Sequence, residues 1–216
     1  VTRADSNLQL LTLSDGKSQG YQVTVSVENE TLVRQIREIA SRVREDAGSK
    51  LRAIVFGRHL FSPLLWVPGG KLSEVSVKPV ALNEGEGRFV GDLKAWCAKR
   101  PEWFASRALY LLRNRAVSGV GFFDEGGFYP DFILWVIQGD HQDVVFIDPK
   151  GIRNLETTDD AKIQLHKRIK EIETQLGDAG VSLHSFIISN TALQDVNWRR
   201  TLDVEGFARE HVYFQD

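Results

Sequence analysis

The feature that most constrains the fold is the order of the apolar segments between residues 84 and 189. Helical spacing over 84–99 is followed by four strand-like runs, then by a helical stripe over 159–176 and an apolar run over 183–189. The four strand-like runs are 108–112, 119–123, 128–137 and 143–147. A helix, an antiparallel meander, a helix and a strand that share one core predict an α/β fold, in which helices flank a mixed central sheet.

Residues 1–80 have a different pattern. The β-branched run 21–27 predicts a strand, and the apolar spacing over 30–46 predicts an amphipathic helix. Further strand candidates lie at 51–60 and 75–80. The pattern changes from strand-like to helical near 79–83, which predicts a small α/β connecting subdomain over 1–80 and a larger domain over 81–216.

The composition excludes several classes of protein. No apolar run approaches the roughly 20 residues of a membrane-spanning helix, and the amino end does not resemble a signal peptide. The single cysteine, Cys97, excludes an intramolecular disulfide and fits a reducing, cytoplasmic location. A net charge of −2 means that a nucleic acid would need a local basic patch. The absence of Met favours an excised or processed fragment, or a sequence from which methionines are missing.

Three charged residues lie at the ends of two neighbouring apolar runs. Asp131 opens one predicted strand, and Asp148 and Lys150 close the next. Side chains two apart on a strand share a face, and pairing of the two strands would bring Asp131 beside them. Two close carboxylates repel each other unless a cation lies between them. Mg²⁺, for which Mn²⁺ can substitute, suits such ligands, and an adjacent lysine can orient water or stabilise phosphate charge.

The Asp-x-Lys pattern alone is weak evidence, because it occurs four times in the chain. The matches are Asp15/Lys17, Asp92/Lys94, Asp148/Lys150 and Asp160/Lys162. Only the third ends an apolar run and follows the sole Pro-Asp pair, and we expect the other three to be solvated charges. The alternative is that Asp131 is an ordinary turn or strand-start residue and that Asp148-Pro149 is the entry to a loop. Pro149 lacks an N–H, so we expect the strand to end there or to lie at an edge.

The Pro-Asp…Asp-x-Lys arrangement resembles the PD-(D/E)XK nuclease superfamily. The wider run resembles the carboxy-terminal endonuclease domain of the Res (helicase–nuclease) subunits of type III restriction enzymes. The supporting stretches lie at 79–86, 89–90, 92–93, 110–114, 121–123 and 128–132, within a region of about residues 79 to 189. The resemblance implies a restriction-endonuclease-like fold for residues 81–216.

By this resemblance, Asp131 and Asp148 would bind the metal and Lys150 would be the catalytic lysine. Glu86 would be an additional acid that also binds the metal, with Glu84 as the competing choice. For both glutamates the alternative is a solvated carboxylate in the first turn of a helix. Gln164 would support the metal site or contact a phosphate, although any polar residue would suit that position.

Basic residues near the proposed site could bind the phosphates of a DNA backbone. They are Lys162, His166, Lys167 and Lys170 on one flank of the predicted helix, with Arg153 before it. Glu171 and Glu173 dilute this charge, and the alternative is a solvated helix face. Arg113, Arg115, Arg199 and Arg200 are weaker candidates of the same kind. We expect the tryptophans and most phenylalanines to lie in the core.

These observations predict a Mg²⁺-dependent endonuclease that cuts double-stranded DNA. The resemblance implies that it belongs to a larger ATP-driven restriction or helicase protein, with a helicase region and a methyltransferase or specificity subunit as partners. The alternatives are a catalytically inactive nuclease-fold module that binds DNA or docks subunits, and a purely structural interaction domain. The chain contains no Walker-type phosphate loop, and its histidines lack metal-ligand spacing.

Overall fold

The structure is a computed structural model. It describes residues 8–13, 21–26, 31, 34, 51–58, 64–68, 75–78, 80–114, 129–153, 155, 157–196, 198 and 202–215. The predicted strand at 119–123 and the candidate DNA contacts Arg115, Arg199 and Arg200 lie outside these residues, as does most of the predicted helix at 30–46.

The described elements follow the chain in this order: β1 (Leu8–Leu13), β2 (Tyr21–Ser26), β3 (Arg52–Ile54), β4 (Leu64–Trp66), β5 (Val75–Lys78), α1 (Glu84–Lys99), β6 (Ala108–Arg113), β7 (Phe132–Gln138), β8 (His141–Lys150), α2 (Ala161–Leu176), β9 (Val181–Ser189), α3 (Val204–Arg209) and β10 (Val212–Phe214). Short 3₁₀ helices span Pro101–Ala105 and Leu193–Asp195. No described helix has both the length and the apolar character needed to cross a membrane.

The chain divides into two compact units. The first comprises Val1–Gly57 and Phe61–Gly91, and the second comprises Arg58–Leu60 and Asp92–Asp216. The division falls inside α1, whereas the sequence pattern changes near residue 80.

The first unit contains two small antiparallel sheets. One has the order β1-β2-β5 and the other pairs β3 with β4. Trp66 of β4 also forms an isolated parallel bridge with Leu82. The predicted strands at 21–27 and 75–80 are confirmed, and the one at 51–60 is reduced to three residues. The sequence did not predict β4, because prolines flank this short run. The strand contributes the fully buried Leu64 and Leu65.

The second unit is built on a five-stranded mixed sheet of order β10-β9-β8-β7-β6. Strands β6, β7 and β8 form an antiparallel meander, whereas β9 is parallel to β8 and β10 is parallel to β9. Gly139 opens the two-residue turn between β7 and β8 with φ of 58°, a conformation that glycine adopts at little cost. The predicted α/β class with a mixed sheet and flanking helices is therefore confirmed.

Helix α2 covers one face of this sheet. Its N-cap is Asp160, whose carboxylate accepts a hydrogen bond of 2.9 Å from the N–H of Lys162, and Gly177 ends it in the left-handed conformation with φ of 64°. Ile169 of α2 packs with Ile133 of β7 and with a cluster completed by Phe146 and Leu183. The face of β8 that carries Phe146 is therefore the face covered by α2.

His211 fixes the start of edge strand β10. Its φ of 57° is unusual for a residue with a side chain. Its Nδ1 donates to the carbonyl oxygen of Ser185 at 3.0 Å, and its own carbonyl accepts from the N–H of Ile187 at 2.9 Å. The imidazole stacks on His166 with a centroid separation of 4.4 Å and on Phe186 at 5.0 Å. The ring therefore links α2, β9 and β10.

Candidate functional site

The ends of β7 and β8 bring Asp131 and Asp148 to the same end of the sheet. The last antiparallel pair at this end joins Phe132 to Ile147. The same register, extended by one residue, places Asp131 opposite Asp148. Residues opposite each other in an antiparallel pair project to the same face. Asp148 is only 8% exposed, whereas Asp131 is half-buried. The sequence-based expectation that strand pairing would bring these carboxylates together therefore agrees with the register.

Asn114 holds the segment before β7 in place. Its backbone N–H donates to the carbonyl oxygen of Asp131 at 2.8 Å, and its side-chain Nδ2 donates to the carbonyl oxygen of Pro130 at 2.9 Å. Phe132, which follows, is fully buried. β7 begins at Phe132 rather than at residue 128, so Asp131 lies just before the strand and is positioned by Asn114 and by the burial of its neighbour.

Strand β8 continues through Pro149 to Lys150, so of the two expected outcomes the strand does not end at the proline but lies at an edge there. Pairing with β9 extends to Lys150, which lies opposite Ser189, and the carbonyl of Lys150 accepts from the N–H of Asn190 at 3.1 Å. Pairing with β7 has already ended at Ile147. Because backbone polar groups alternate between the two sides of a strand, the missing N–H of Pro149 falls on the side that β7 has left.

Asp148 and Lys150 lie on the α2 face of β8, as the alternation from Phe146 requires. The Nζ of Lys150 lies 4.0 Å from Oδ2 of Asp148. The lysine side chain is 22% exposed and that of Asp148 is 10% exposed. The pair is thus largely desolvated, which strengthens the electrostatic influence of each group on the other.

Lys162 contributes a second ammonium group to this end of the sheet. Burial lowers the pKa of Lys150 below its usual value; Asp148 opposes this shift, and the nearby Lys162 adds to it. Asp160 also lies close enough to raise the pKa of Lys150. The Asp160/Lys162 match, which the sequence predicted to be an ordinary solvated pair, therefore lies next to Lys150. The signal was a second Asp-x-Lys at the start of the helix that follows the first.

Glu86 is engaged in capping α1. Its Oε2 accepts from the N–H of Asn83 at 2.7 Å, while its own N–H donates to Oδ1 of Asn83 at 3.0 Å. This reciprocal arrangement is a capping box. The competing candidate, Glu84, pairs with Arg88 at 3.1 Å on the exposed side of the helix. Both glutamates belong to the first unit, whereas Asp131, Asp148 and Lys150 belong to the second.

Gln164 also has a local structural partner. Its Nε2 donates to the carbonyl oxygen of Thr158 at 2.7 Å, and its backbone N–H donates to the carbonyl oxygen of Asp160 at 2.9 Å. The side chain therefore fastens the loop that precedes α2. This contact accounts for a polar residue at this position without a metal or phosphate.

The predicted basic flank of α2 is partly neutralised. Contrary to expectation, His166 of α2 is buried, because its ring stacks on that of His211, just before β10. Its Nδ1 is hydrogen-bonded to the carbonyl oxygen of Ile163. The remaining cations have acidic partners: Lys167 pairs with Glu210 at 3.2 Å, Lys170 with Glu173 at 2.8 Å, and Arg153 with Asp195 at 3.8 Å. Only Lys162 of this set is tied to the Asp148–Lys150 pair.

Two of the tryptophans, Trp96 and Trp103, differ from the expectation that they would lie in the core, whereas Trp135 packs against it. Trp198 is buried, whereas Trp96 is 36% exposed and Trp103 is half-buried. Trp96 and Trp103 lie at the end of α1 and in the following 3₁₀ helix, together with Phe104. The signal in the sequence was the interleaving of these rings with arginines and lysines over 94–107.

Within the described ranges, no group of three or more His, Cys, Asp or Glu side chains is arranged to hold a metal ion. The carboxylates of the candidate site in the second unit are thus a pair, Asp131 and Asp148. No family model, curated protein or solved structure matches the chain.

Proposed function

We propose that the chain is a Mg²⁺-dependent endonuclease domain that hydrolyses phosphodiester bonds in double-stranded DNA. The observation that supports this proposal is the convergence of three residues at one end of the sheet: the register puts Asp131 opposite Asp148, and Lys150 lies 4.0 Å from Asp148. Carboxylates and an amine in this arrangement suit metal-assisted attack on a phosphate.

The donors present fit Mg²⁺. This ion is commonly held by one or two carboxylates and otherwise by waters and substrate phosphates, so two aspartates suffice. Asp131 and Asp148 would hold it. When bound, Mg²⁺ would supply a water of lowered pKa and would neutralise charge on the phosphate.

Lys150 would contribute positive charge next to the scissile phosphate. Its ammonium group is only partly hydrated and is held close to Asp148, so it needs little reorganisation to face a phosphate oxygen or a water. Lys162 would add a second cation beside it. Asn114 would act as a positioning residue, because it fixes the backbone that carries Asp131.

The resemblance to type III restriction subunits suggests the wider context. We propose that the chain works within a larger ATP-driven restriction or helicase protein. Its first unit would then connect the nuclease to the helicase region, with a methyltransferase or specificity subunit as a further partner. The proposed role of Glu86 as a third acid is weakened by its capping contacts with Asn83.

Nicking of supercoiled plasmid in Mg²⁺ or Mn²⁺ tests the proposal. We expect Asp148→Asn and Lys150→Ala each to slow nicking by about 10²-fold or more, with melting temperatures close to wild type. Glu205→Gln, which removes an exposed carboxylate charge in the first turn of α3, is the matched control. Full activity in Asp148→Asn would overturn the assignment of the site.

A second candidate is a catalytically inactive module of the same fold that binds DNA or docks subunits. Two observations favour this candidate. Lys150 already supplies a positive charge beside Asp148, and the described ranges contain no group of three metal ligands. Mn²⁺ binding, followed by electron paramagnetic resonance, separates the two. Binding that Asp148→Asn abolishes supports the nuclease, whereas salt-sensitive DNA binding without metal binding or cleavage supports the inactive module.

A further inference from the structure

Three aromatic rings of the second unit form a cluster that includes no residue of the proposed site. Trp96, Trp103 and Phe104 contact each other edge to face, with centroid separations of 5.2 Å, 6.1 Å and 4.8 Å. Such mutual contacts fix ring orientations. The 3₁₀ helix that carries Trp103 and Phe104 has no buried residue, and Trp96 is 36% exposed. This aromatic cluster therefore lies at the surface and not in the core.

Arginines interleave with these rings. The guanidinium carbon of Arg58 lies 3.8 Å from the ring centroid of Phe104, and that of Arg107 lies 5.1 Å from the ring centroid of Trp103. Contacts of this kind hold each guanidinium plane against an aromatic face. Planar guanidinium groups are themselves stacking surfaces for nucleobases.

The charge around the aromatic cluster is positive. Over residues 92–107 the cations are Lys94, Lys99, Arg100 and Arg107, and the carboxylates are Asp92 and Glu102. Arg58 adds a further cation through its contact with Phe104. Lys99 and Arg100 are exposed. This local excess contrasts with the net charge of −2 of the whole chain. A polyanion is the partner that this combination of charges attracts.

We propose that the aromatic cluster binds single-stranded nucleic acid, with bases stacked on Trp96 and the arginine planes and with phosphates near Lys99 and Arg100. An exposed ring can stack only on a base whose face is uncovered, and a duplex covers its base faces. A protein partner would also use tryptophan and arginine, but lysine is depleted from protein interfaces. The proposal does not rest on cleavage, so it can be tested without metal.

Fluorescence anisotropy with a fluorescein-labelled oligothymidylate, in EDTA, is the direct test. We expect Trp96→Ala to weaken binding about tenfold, because stacking of one base contributes about 1–3 kcal/mol. Trp96→Phe keeps a ring and should recover most of the affinity. We expect Arg100→Ala to reduce the slope of log affinity against log salt by about 0.7, the value for one phosphate contact on a single strand.

Tyr213→Ala is the matched control, since this ring is 45% exposed and lies on β10, at the opposite edge of the sheet from β6. Its affinity should stay within about twofold of wild type. Equal binding of the oligothymidylate by Trp96→Ala and wild type would overturn the proposal. If Trp96→Ala fails to fold, Arg100→Ala decides the question, because an unchanged salt slope in that variant would overturn the proposal. Because EDTA blocks cleavage, failure here leaves the nuclease proposal unaffected.

Discussion

The Nζ of Lys150 lies 4.0 Å from Oδ2 of Asp148, and both side chains project from β8 toward α2. The two residues are separated only by Pro149, whose missing N–H falls where β7 no longer pairs. This relationship lets one strand carry a carboxylate and an amine to the same face without interrupting its pairing with β9. It also leaves Lys150 partly desolvated, with consequences for stability and for pH.

Lys150→Met should raise the melting temperature slightly at pH 7.5 while it abolishes nicking. Burial lowers the pKa of Lys150, so protonation of this amine is less favourable in the folded than in the unfolded chain. The wild type therefore gains stability as pH rises from the pKa of Lys150 in the folded chain toward its pKa in the unfolded chain. Over that range the difference in melting temperature between Lys150→Met and wild type should shrink. Thermal melts at neutral and alkaline pH measure this. A marked loss of stability of Lys150→Met at pH 7.5 would show instead that the attraction of Asp148 for the Lys150 ammonium group outweighs the cost of burying it.

The capping role of Glu86 can be separated from a metal-binding role by two substitutions. Glu86→Gln keeps an acceptor for the N–H of Asn83, so stability and nicking should remain near wild type. Glu86→Ala removes this acceptor and should cost about 1 kcal/mol in the free energy of unfolding. Urea denaturation and plasmid nicking are the measurements. Nicking that is lost in Glu86→Gln, with stability retained, would instead identify Glu86 as a metal ligand.

Asn114→Ala tests whether the segment before β7 must be held for activity. The substitution removes the side-chain hydrogen bond to Pro130 and should cost about 1 kcal/mol of stability. Since Asp131 follows Pro130, we also expect Mn²⁺ affinity to fall, by about 10-fold or more. Lys170→Ala, which removes an exposed ion pair with Glu173, serves as the control. Unchanged Mn²⁺ affinity in Asn114→Ala would show that Asp131 needs no such support.

His211 should make the fold sensitive to acid. Burial lowers its pKa, with a smaller opposing effect from the carbonyl of Ser185 and a further lowering from His166, His184 and Lys170. A lowered pKa means that the unfolded chain binds the proton more readily, so stability is present above about pH 6.5 and is lost as pH falls through the folded pKa. Near this ring, Glu210 lies 3.8 Å from His166 and 3.2 Å from Lys167.

His211→Asn should flatten that dependence between pH 7.5 and 5, because asparagine tolerates the positive φ but does not titrate. Its melting temperature should change less on acidification than that of wild type. His141→Asn, a half-exposed residue that pairs with Asp143, is the comparison. Equal acid sensitivity in His211→Asn and wild type would assign the effect to another group.

Much of the second unit follows from local periodicity. The helical stripe of α2, its end at residue 176 and the strand that follows it are properties of short segments, and all three were predicted. The alternating burial along β9 was not, because the sequence predicted a wholly buried run. The association of Asp131 with Asp148 required only that two consecutive strands pair. By contrast, Glu86 was assigned from the resemblance, and its partner Asn83 shows a local capping pattern that competes with that role.

The sequence by itself determined the order of the described helices and strands from α1 to β9, the apolar face of α2 and the placement of Asp148 and Lys150 on one side of a strand. The tertiary structure alone decided that Lys162 lies beside Lys150, that His166 is buried against His211 and that Trp96 reaches the surface. The reason is physical. Periodicity records which side of an element avoids water, whereas the meeting of polar groups depends on contacts between segments far apart in the chain.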